Sequence, residues 1–168
     1  MGWRIAMVGA GAVGGMCAGH MARNGEDVTF IDPWPEHVEN MRNNGLELRG
    51  MTEAETHNVP VKALHITEVQ NTQKEGPFDV AFISSKSYDT VWLTALIAPY
   101  LSEHGFVVSL QNALNEERVA SVVGPEKAVG CIASGIGVEL EQPGYIQRNV
   151  PIRGNEYPVF RVGELHGR

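Results

Sequence analysis

The sequence is poor in cysteine, with only Cys17 and Cys131 among its 168 residues. Their separation is not a metal-ligand spacing, and two cysteines are too few for the disulfide framework of a small secreted protein. We therefore expect both thiols to be reduced, buried and structural, with Cys17 in a helix and Cys131 in a strand.

Basic residues are in the minority, because 13 lysines and arginines stand against 20 aspartates and glutamates and the formal net charge is −7. No sequence-wide basic field is therefore available to attract nucleic acid or anionic lipid. The start, Met1-Gly-Trp-Arg-Ile-Ala6, lacks the Ser or Thr of a myristoylation signal, and glycines soon interrupt its apolar run. We expect a cytoplasmic protein that binds neither nucleic acid nor a membrane.

Hydrophobic residues make up 43% of the chain, which at this length is enough for the core of one domain. Short apolar runs predict β-strands at residues 3–8, 27–31, 79–84, 105–110 and 128–133. Helical patterns fall between or after them, at residues 13–23, 36–43 and about 91–97, the last ending near Pro99. Short strand-like pieces are expected over 46–67, and extended pieces without a terminal helix over 145–162. The alternation predicts one doubly wound α/β domain over residues 1–168, with a mostly parallel sheet.

A glycine-rich motif, Gly9-Ala10-Gly11-Ala12-Val13-Gly14, lies between the first predicted strand and the first predicted helix. In a dinucleotide-binding loop the first glycine allows the tight turn, the second lets the backbone approach the pyrophosphate, and the third permits close packing of helix on strand. Free N–H groups and the helix dipole then hold the anion. The alternative is a glycine-rich turn that binds no ligand.

Asp32 closes the second predicted strand, 23 positions after Gly9. A carboxylate at this place accepts hydrogen bonds from the adenosine ribose hydroxyls and repels a 2′-phosphate, which favours NAD over NADP. The alternative is that Asp32 caps the helix that begins after Pro33.

Three further signatures join the glycine motif in resembling the ketopantoate reductase family. They are Ser85-Lys86-Ser-Tyr-Asp-Thr90, Leu110-Gln-Asn112-Ala-Leu-Asn115 and the terminal Val162-Gly-Glu-Leu-His-Gly167. Members of this family use a nicotinamide hydride to reduce a 2-keto acid, typically ketopantoate to pantoate. The resemblance implies a Rossmann cofactor domain, which this chain covers, followed by a helical domain that supplies the general acid and is absent here.

The resemblance also implies roles for three residues beyond the glycine motif. Lys86 is expected to contact the cofactor near the cleft, Asn112 to bind near the nicotinamide ribose and the substrate, and the main chain around Ile136 to touch the cofactor. Lys86 and Asn112 follow the carboxyl ends of predicted strands, where open α/β sheets bind ligands. The alternatives are a solvated lysine and a turn-forming asparagine. His20 and Trp92 are expected to be packing or surface residues.

Two positions depart from the family pattern. Many members use NADP and place a basic residue near the end of the second strand, where this sequence has Asp32 and Pro33. The third signature commonly contains Gln-Asn-Gly, whereas residue 113 is Ala, which has less backbone freedom. These departures leave both NAD and NADP open, with NAD favoured.

Three hypotheses about function follow from these residues. In the first, the chain is the cofactor domain of a 2-keto acid reductase of the ketopantoate type. In the second, it belongs to an NAD-dependent D-2-hydroxy-acid dehydrogenase of the mandelate type, or to an opine-type dehydrogenase. In the third, it is a nonenzymatic NAD-binding sensor. If the helical domain is missing, the surface that met it is expected to be apolar and to favour a homodimer.

Overall fold

The computed structural model describes residues 2–152, 154 and 157–165, and these form an α/β fold. The α-helices of this part of the chain are α1 (Ala12–Arg23), α2 (Pro35–Asn44), α3 (Thr90–Ile97) and α4 (Glu116–Val123). The β-strands are β1 (Arg4–Val8), β2 (Asp27–Asp32), β3 (Leu46–Arg49), β4 (His57–Val59), β5 (Lys62–His65), β6 (Phe78–Ile83), β7 (Leu101–Ser109), β8 (Ala128–Ala133), β9 (Val138–Gln142), β10 (Tyr145–Arg148) and β11 (Phe160–Glu164). No helix among the described residues has both the length and the apolar character needed to span a bilayer.

The main sheet has seven strands in the order β5-β2-β1-β6-β7-β8-β11. Neighbouring strands in this sheet are parallel except at one edge, where β11 runs antiparallel to β8. The chain extends the sheet from β1 towards β5 and then from β6 towards β8, so the strand order reverses between β1 and β6. At such a reversal a crevice opens beyond the carboxyl ends of the strands. The predicted doubly wound, mostly parallel sheet is confirmed.

The central strand β1 is buried along its whole length because helices cover both faces of the sheet. Ile5 and Met7 point into the core that α1 shares. Ala6 and Val8 point to the opposite face, into the core formed with α3 and α4. This alternation of side chains, with apolar residues on both faces, is the reason that the segment forms an interior parallel strand.

A second, smaller sheet lies over α1 in the order β4-β3-β10-β9. Helix α1 contacts both sheets, and its glycines allow the second sheet to approach closely. A methyl group at Gly19 would lie 2.9 Å from both terminal carbons of Leu48, and Gly15 is similarly close to Ile146. The sequence predicted strand-like pieces at 46–67 and 145–162 but not their union in one sheet.

The structure corrects the predicted elements in three places. Helix α4 and strand β9 were not predicted, and β7 begins at Leu101, four residues before the predicted start. The predicted end of α2 at Gly45 is confirmed, and this glycine has a φ of 81°. Of the terminal family signature, residues 166–167 lie outside the described part of the chain, and the preceding residues belong to or follow β11.

Candidate functional site

A cavity of about 530 Å³ opens at the reversal point of the main sheet. Eight of the ten residues predicted to bind the cofactor line it, and they come from five separate segments of the chain. They are Gly9, Gly11, Ala12, Val13, Asp32, Lys86, Asn112 and Ile136. The other two are buried and do not line the cavity: Ala10 belongs to the glycine loop and Gly14 to the first turn of α1. The topology therefore brings together residues that are up to 127 positions apart in the sequence.

The turn between β1 and α1 has the shape that its glycines predict. Gly9 has a φ of 94°, a conformation that side-chain-bearing residues rarely adopt. A methyl group at Gly14 would lie 2.8 Å from Cβ of Ser84 and would overlap the carbonyl oxygen of Gly9. At Gly11, by contrast, no atom lies within 4 Å of the place of a Cβ, so the loop leaves open space on the cavity side.

The amino end of α1 faces this open space, and none of the helix's own residues neutralises it. Gly11 occupies the N-cap position, no side chain caps the helix among the described residues, and its first turn contains no acidic residue. The N–H groups and positive dipole end of a helix bind anions such as phosphate. Ser84 lines the same cavity, and its buried hydroxyl has no hydrogen-bond partner among the described residues. These groups fit a dinucleotide pyrophosphate.

Asp32 is almost fully buried, with 8% of its surface exposed, at the edge of the cavity. One carboxylate oxygen accepts a 2.7 Å hydrogen bond from the N–H of Ala10, and the other accepts a 2.9 Å bond from the N–H of Trp34. The carboxylate therefore fixes the glycine loop and also the chain before α2. Each oxygen has a second lone pair that a ribose hydroxyl can use.

Lys86 and Asn112 lie in two loops that are hydrogen-bonded to each other. The side-chain amide of Gln111 donates to the carbonyl oxygen of Ser85 at 3.0 Å, and its oxygen accepts from the hydroxyl of Thr90 at 3.1 Å. The hydroxyl of Ser87 donates to the carbonyl oxygen of Asn112 at 3.3 Å. The side chains of Lys86 and Asn112 are themselves exposed, so these loops hold them at the cavity and leave them available to a ligand.

The turn that presents Asn112 is stabilised from the start of α4. The amide of Asn115 is buried and donates to the carbonyl oxygen of Asn112 at 2.8 Å. Between them lies Ala113, the one described residue other than glycine with a positive φ, at 69°. Alanine therefore occupies a left-handed position that glycine adopts without strain.

Lys86 is the one lysine or arginine among the described residues that line the cavity, where Asp32 and Asp89 also lie. A single flexible cation beside free backbone N–H groups suits a small anionic ligand. Trp92, expected to be a packing or surface residue, lies at the edge of this cavity and donates from its ring nitrogen to the carboxylate of Asp89 at 2.7 Å.

A second and larger space, an apolar groove of about 650 Å³, lies on the α1 side of the main sheet. Leu110 and Ile136 line both spaces and so separate them. His20, expected to pack or to lie at the surface, lines this groove, where burial together with nearby Arg23 lowers its pKa.

Both free cysteines line the apolar groove, Cys131 buried and Cys17 partly buried. Burial raises the pKa of Cys17 to about 12, with a smaller contribution from Cys131, and burial also raises the pKa of Cys131. Both thiols therefore stay protonated at neutral pH. Cys131 is buried as predicted, whereas Cys17 is only partly buried.

Comparison with known proteins identifies the family. The sequence profile described as ketopantoate reductase PanE/ApbA matches residues 5–154. The chain therefore belongs to the ketopantoate reductase family. Among its curated relatives, the 2-dehydropantoate 2-reductase of Pyrococcus abyssi is 32% identical over 145 residues, which are 86% of this chain and 44% of the relative.

Solved structures of ketopantoate reductases have the same fold. The 2-dehydropantoate 2-reductase of Geobacter metallireducens superimposes with a TM-score of 0.81 at 29% identity, over 98% of this chain and 50% of that protein. A D-mandelate dehydrogenase solved with NADH and anilino(oxo)acetate superimposes with a TM-score of 0.72 at 25% identity, over 86% of this chain and 45% of that protein. The chain thus spans about half the length of the relatives it matches.

Sequence reasoning missed two residues that shape the site, His37 and Gln111. His37 is buried in α2 and bonds to Ala10, and Gln111 joins the two loops that carry Lys86 and Asn112. Gln111 is part of a family signature and lies next to Asn112, which was the signal available for it. His37 gave no such signal, because its partners lie 27 and 107 positions away.

Proposed function

We propose that this chain binds a nicotinamide dinucleotide and forms the cofactor half of an oxidoreductase that reduces a 2-keto acid. The observation that carries the proposal is the single cavity that joins the open amino end of α1 to the exposed side chains of Lys86 and Asn112. Membership of the ketopantoate reductase family supports the same reaction class. Nicotinamide dinucleotides are maintained in the cytoplasm, where we therefore place the reaction.

In this proposal the glycine loop binds the pyrophosphate through the backbone of Gly9, Gly11, Ala12 and Val13. Ala10 and Gly14 contribute from beneath by fixing the shape of that loop. A ligand held between free N–H groups and a helix dipole needs no basic side chain, which suits an acidic protein.

Asp32 is proposed to bind the adenosine ribose, and this favours NAD over NADP. Its carboxylate lies at the cavity edge, and a 2′-phosphate there would bring two negative charges together. The D-mandelate dehydrogenase that this chain resembles was solved with NADH, which supports the same preference.

At the other end of the cavity, Lys86 and Asn112 are proposed to face the nicotinamide and the substrate. The Lys86 ammonium attracts the carboxylate of a 2-keto acid, and the amide of Asn112 orients it by hydrogen bonding, while the main chain around Ile136 closes the side of the cavity. The bound cofactor supplies the hydride. We propose that a helical domain supplies the proton for the new hydroxyl group, as the family resemblance implies.

The apolar groove supports the proposal that this helical domain covers the α1 side of the sheet. Large apolar side chains along this groove are exposed, among them Ile152, Phe160 and Val162. Exposed patches of this kind mark interaction surfaces. In the absence of such a domain we expect the same surface to pair two copies of this chain, which light scattering measures directly. A monomeric mass would contradict that dimer.

A second candidate function is an NAD-dependent D-2-hydroxy-acid dehydrogenase of the mandelate type. Asp32 and the 25% identity to a D-mandelate dehydrogenase favour it. Steady-state rates with ketopantoate and with phenylglyoxylate, measured on the product of the complete reading frame, distinguish the two enzymes. A product that binds NAD but reduces neither acid would favour the sensor hypothesis.

Calorimetric titration of this chain with NADH and with NADPH tests cofactor binding. We expect tighter binding of NADH, and loss of binding in Gly11→Val. The valine side chain would enter the space proposed for the pyrophosphate, and no atom lies within 4 Å of the place of its Cβ in the free protein. Gly163→Val is the matched control, since Gly163 also has open space around it but lies in β11, away from the cavity. Preference for NADPH would overturn the role of Asp32, and failure to bind either would overturn the proposed function.

A further inference from the structure

His37 is a fully buried side chain that connects the glycine loop to the second sheet. Its Nε2 lies 2.9 Å from the carbonyl oxygen of Ala10, and its Nδ1 lies 2.9 Å from the backbone nitrogen of Gly144, in the turn between β9 and β10. The ring of Trp34 stacks on the imidazole with centroids 5.8 Å apart. The side chain thus has a partner on each nitrogen and a cover on one face.

The two partners require one form of the imidazole ring. The backbone of Gly144 can only donate, so Nδ1 carries no proton and accepts. The carbonyl of Ala10 can only accept, so Nε2 carries the proton and donates. His37 therefore acts as a neutral bridge of fixed polarity between two backbone segments.

Ala10 is held from both sides of its backbone. Its N–H donates to the carboxylate of Asp32 at 2.7 Å, and its carbonyl oxygen accepts from His37. Ala10 has no exposed surface, so it cannot touch a ligand itself. Its neighbours Gly9 and Gly11 line the cavity, and their orientation follows from how Ala10 is held.

The hairpin of β9 and β10 packs against the same part of the loop. A methyl group at Gly15 would lie 2.7 Å from the carbonyl oxygen of Ala10 and would overlap the side chain of Ile146 in β10. The second sheet is therefore in contact with the first turn of α1, where the proposed pyrophosphate site lies.

We infer that His37 is a positioning residue that holds the glycine loop in its anion-binding shape, and that the β9–β10 turn acts on the loop through it. The inference rests on the proposed function, since it concerns the same dinucleotide site. A preformed loop binds more tightly because ordering it costs nothing at the moment of binding.

Two substitutions of His37 separate its two bonds. In His37→Gln the amide nitrogen can occupy the place of Nε2 and keep the bond to Ala10, while the bond from Gly144 is lost. In His37→Asn the side-chain oxygen can occupy the place of Nδ1 and keep the bond from Gly144, while the bond to Ala10 is lost. Both variants lose the ring and its stacking on Trp34. Asn is one methylene smaller than Gln, so the stability of each variant is measured beside its affinity.

We expect the NADH dissociation constant of His37→Asn to rise about tenfold, and that of His37→Gln to change less than about threefold. Calorimetry measures both at a temperature where urea unfolding shows each variant to be folded. A merely structural role would lower the stability of both variants and leave their affinities equal. Equal affinities of the two variants would overturn the inference.

Hydrogen exchange of the free chain tests the loop without any ligand. Amides of residues 9–14 should exchange at least about tenfold faster in His37→Asn than in the wild type, and those of His37→Gln should stay near the wild-type rate. If the wild type binds neither NADH nor NADPH, the proposed function fails and these rates still decide the role of His37. Unchanged protection in His37→Asn would overturn that role.

Discussion

The backbone N–H of Ala10 donates a 2.7 Å hydrogen bond to the carboxylate of Asp32, across the ends of β1 and β2. Asp32 was expected from the sequence to recognise a ribose or to cap the next helix. The structure gives it a third task, because it fixes the glycine loop whether or not a ligand is present. Its bond to the N–H of Trp34 satisfies a backbone donor before α2, but the N-cap residue of α2 is Trp34 and Asp32 does not cap the helix, so the capping alternative is wrong.

Asp32→Asn should destabilise the fold by about 1–3 kcal/mol, because one of the two buried backbone donors would then face an amide NH₂ group. Urea unfolding measures the loss. Asp27→Asn, in the same strand, is the control: the side chain of Asp27 is 62% exposed, its ion pair with Arg4 spans 3.7 Å, and it should change stability by less than about 0.5 kcal/mol. Equal losses of stability in the two variants would show that the hydrogen bonds of Asp32 contribute no more to the free energy of unfolding than the exposed ion pair of Asp27.

Gly14→Ala should cost at least about 2 kcal/mol, since the added methyl group would be forced against backbone and the Cβ of Ser84. Gly11→Ala should stay within about 1 kcal/mol of the wild type, because its methyl group meets open space. Thermal and urea unfolding compare the pair directly. A stable Gly14→Ala protein would mean that the loop and β6 can move apart, contrary to the packing described.

Ala113→Gly should raise stability by up to about 1 kcal/mol, because glycine relieves the left-handed conformation but also makes the unfolded chain more flexible. Ala113→Val should instead lower stability by about 1–2 kcal/mol, since a β-branched residue fits this region poorly. Residue 113 is exposed, so packing contributes little to either change. Opposite signs in urea unfolding would confirm the strain, and a loss in both variants would refute it.

Gln111→Met keeps the size of the side chain but removes its bonds to Ser85, Thr90 and Ser109. We expect a loss of about 1–3 kcal/mol in stability together with weaker NADH binding, because the loop carrying Lys86 would no longer be fixed. Gln147→Met is the control, as its amide also bonds backbone carbonyls but lies in the second sheet. That control should lose stability without losing affinity, and an unchanged affinity in Gln111→Met would contradict the prediction.

Stability should fall as the pH rises from about 9 towards 12, in part because of Cys17. Its pKa is raised by burial to about 12 in the folded chain from an ordinary value of 9.0, so the unfolded chain loses the thiol proton first. The contribution of the buried, protonated Cys17 thiol to the free energy of unfolding is fully present below pH 9. It is lost as the pH rises from 9 to about 12. Cys17→Ala should therefore show a shallower decline than the wild type in urea unfolding. Identical pH dependence would contradict the burial of this thiol.

The parts of the fold that could be predicted are those with a local signal. Buried strands such as β1 and β8 are short apolar runs, and the glycine motif marks the turn between strand and helix, so these were located from the sequence. Strand β7 was predicted too short because three of its first four residues, Ser102, Glu103 and His104, are polar and lie at least partly exposed before the apolar run begins.

The parts that could not be predicted depend on pairing between distant segments. The second sheet joins β3 to β10 across about a hundred residues, and neither strand alone indicates its partner. Helix α4 had a usable signal in Asn115 followed by two glutamates, a typical helix start that was overlooked. For the site, Lys86 and Asn112 were recognised by the family resemblance, with which their place after strands agrees, while the bridging role of His37 exists only in the folded chain.

Leu110 and Ile136 form the partition between the cavity at the glycine loop and the apolar groove. A ligand proposed on one side and a domain proposed on the other are coupled if these two side chains take different positions when either is bound. Such coupling acts equally in both directions. If filling the groove changes the cofactor affinity by some factor, then the cofactor changes the affinity of the groove for its occupant by the same factor. With such coupling, the groove would be a second place from which affinity for the proposed cofactor is tuned.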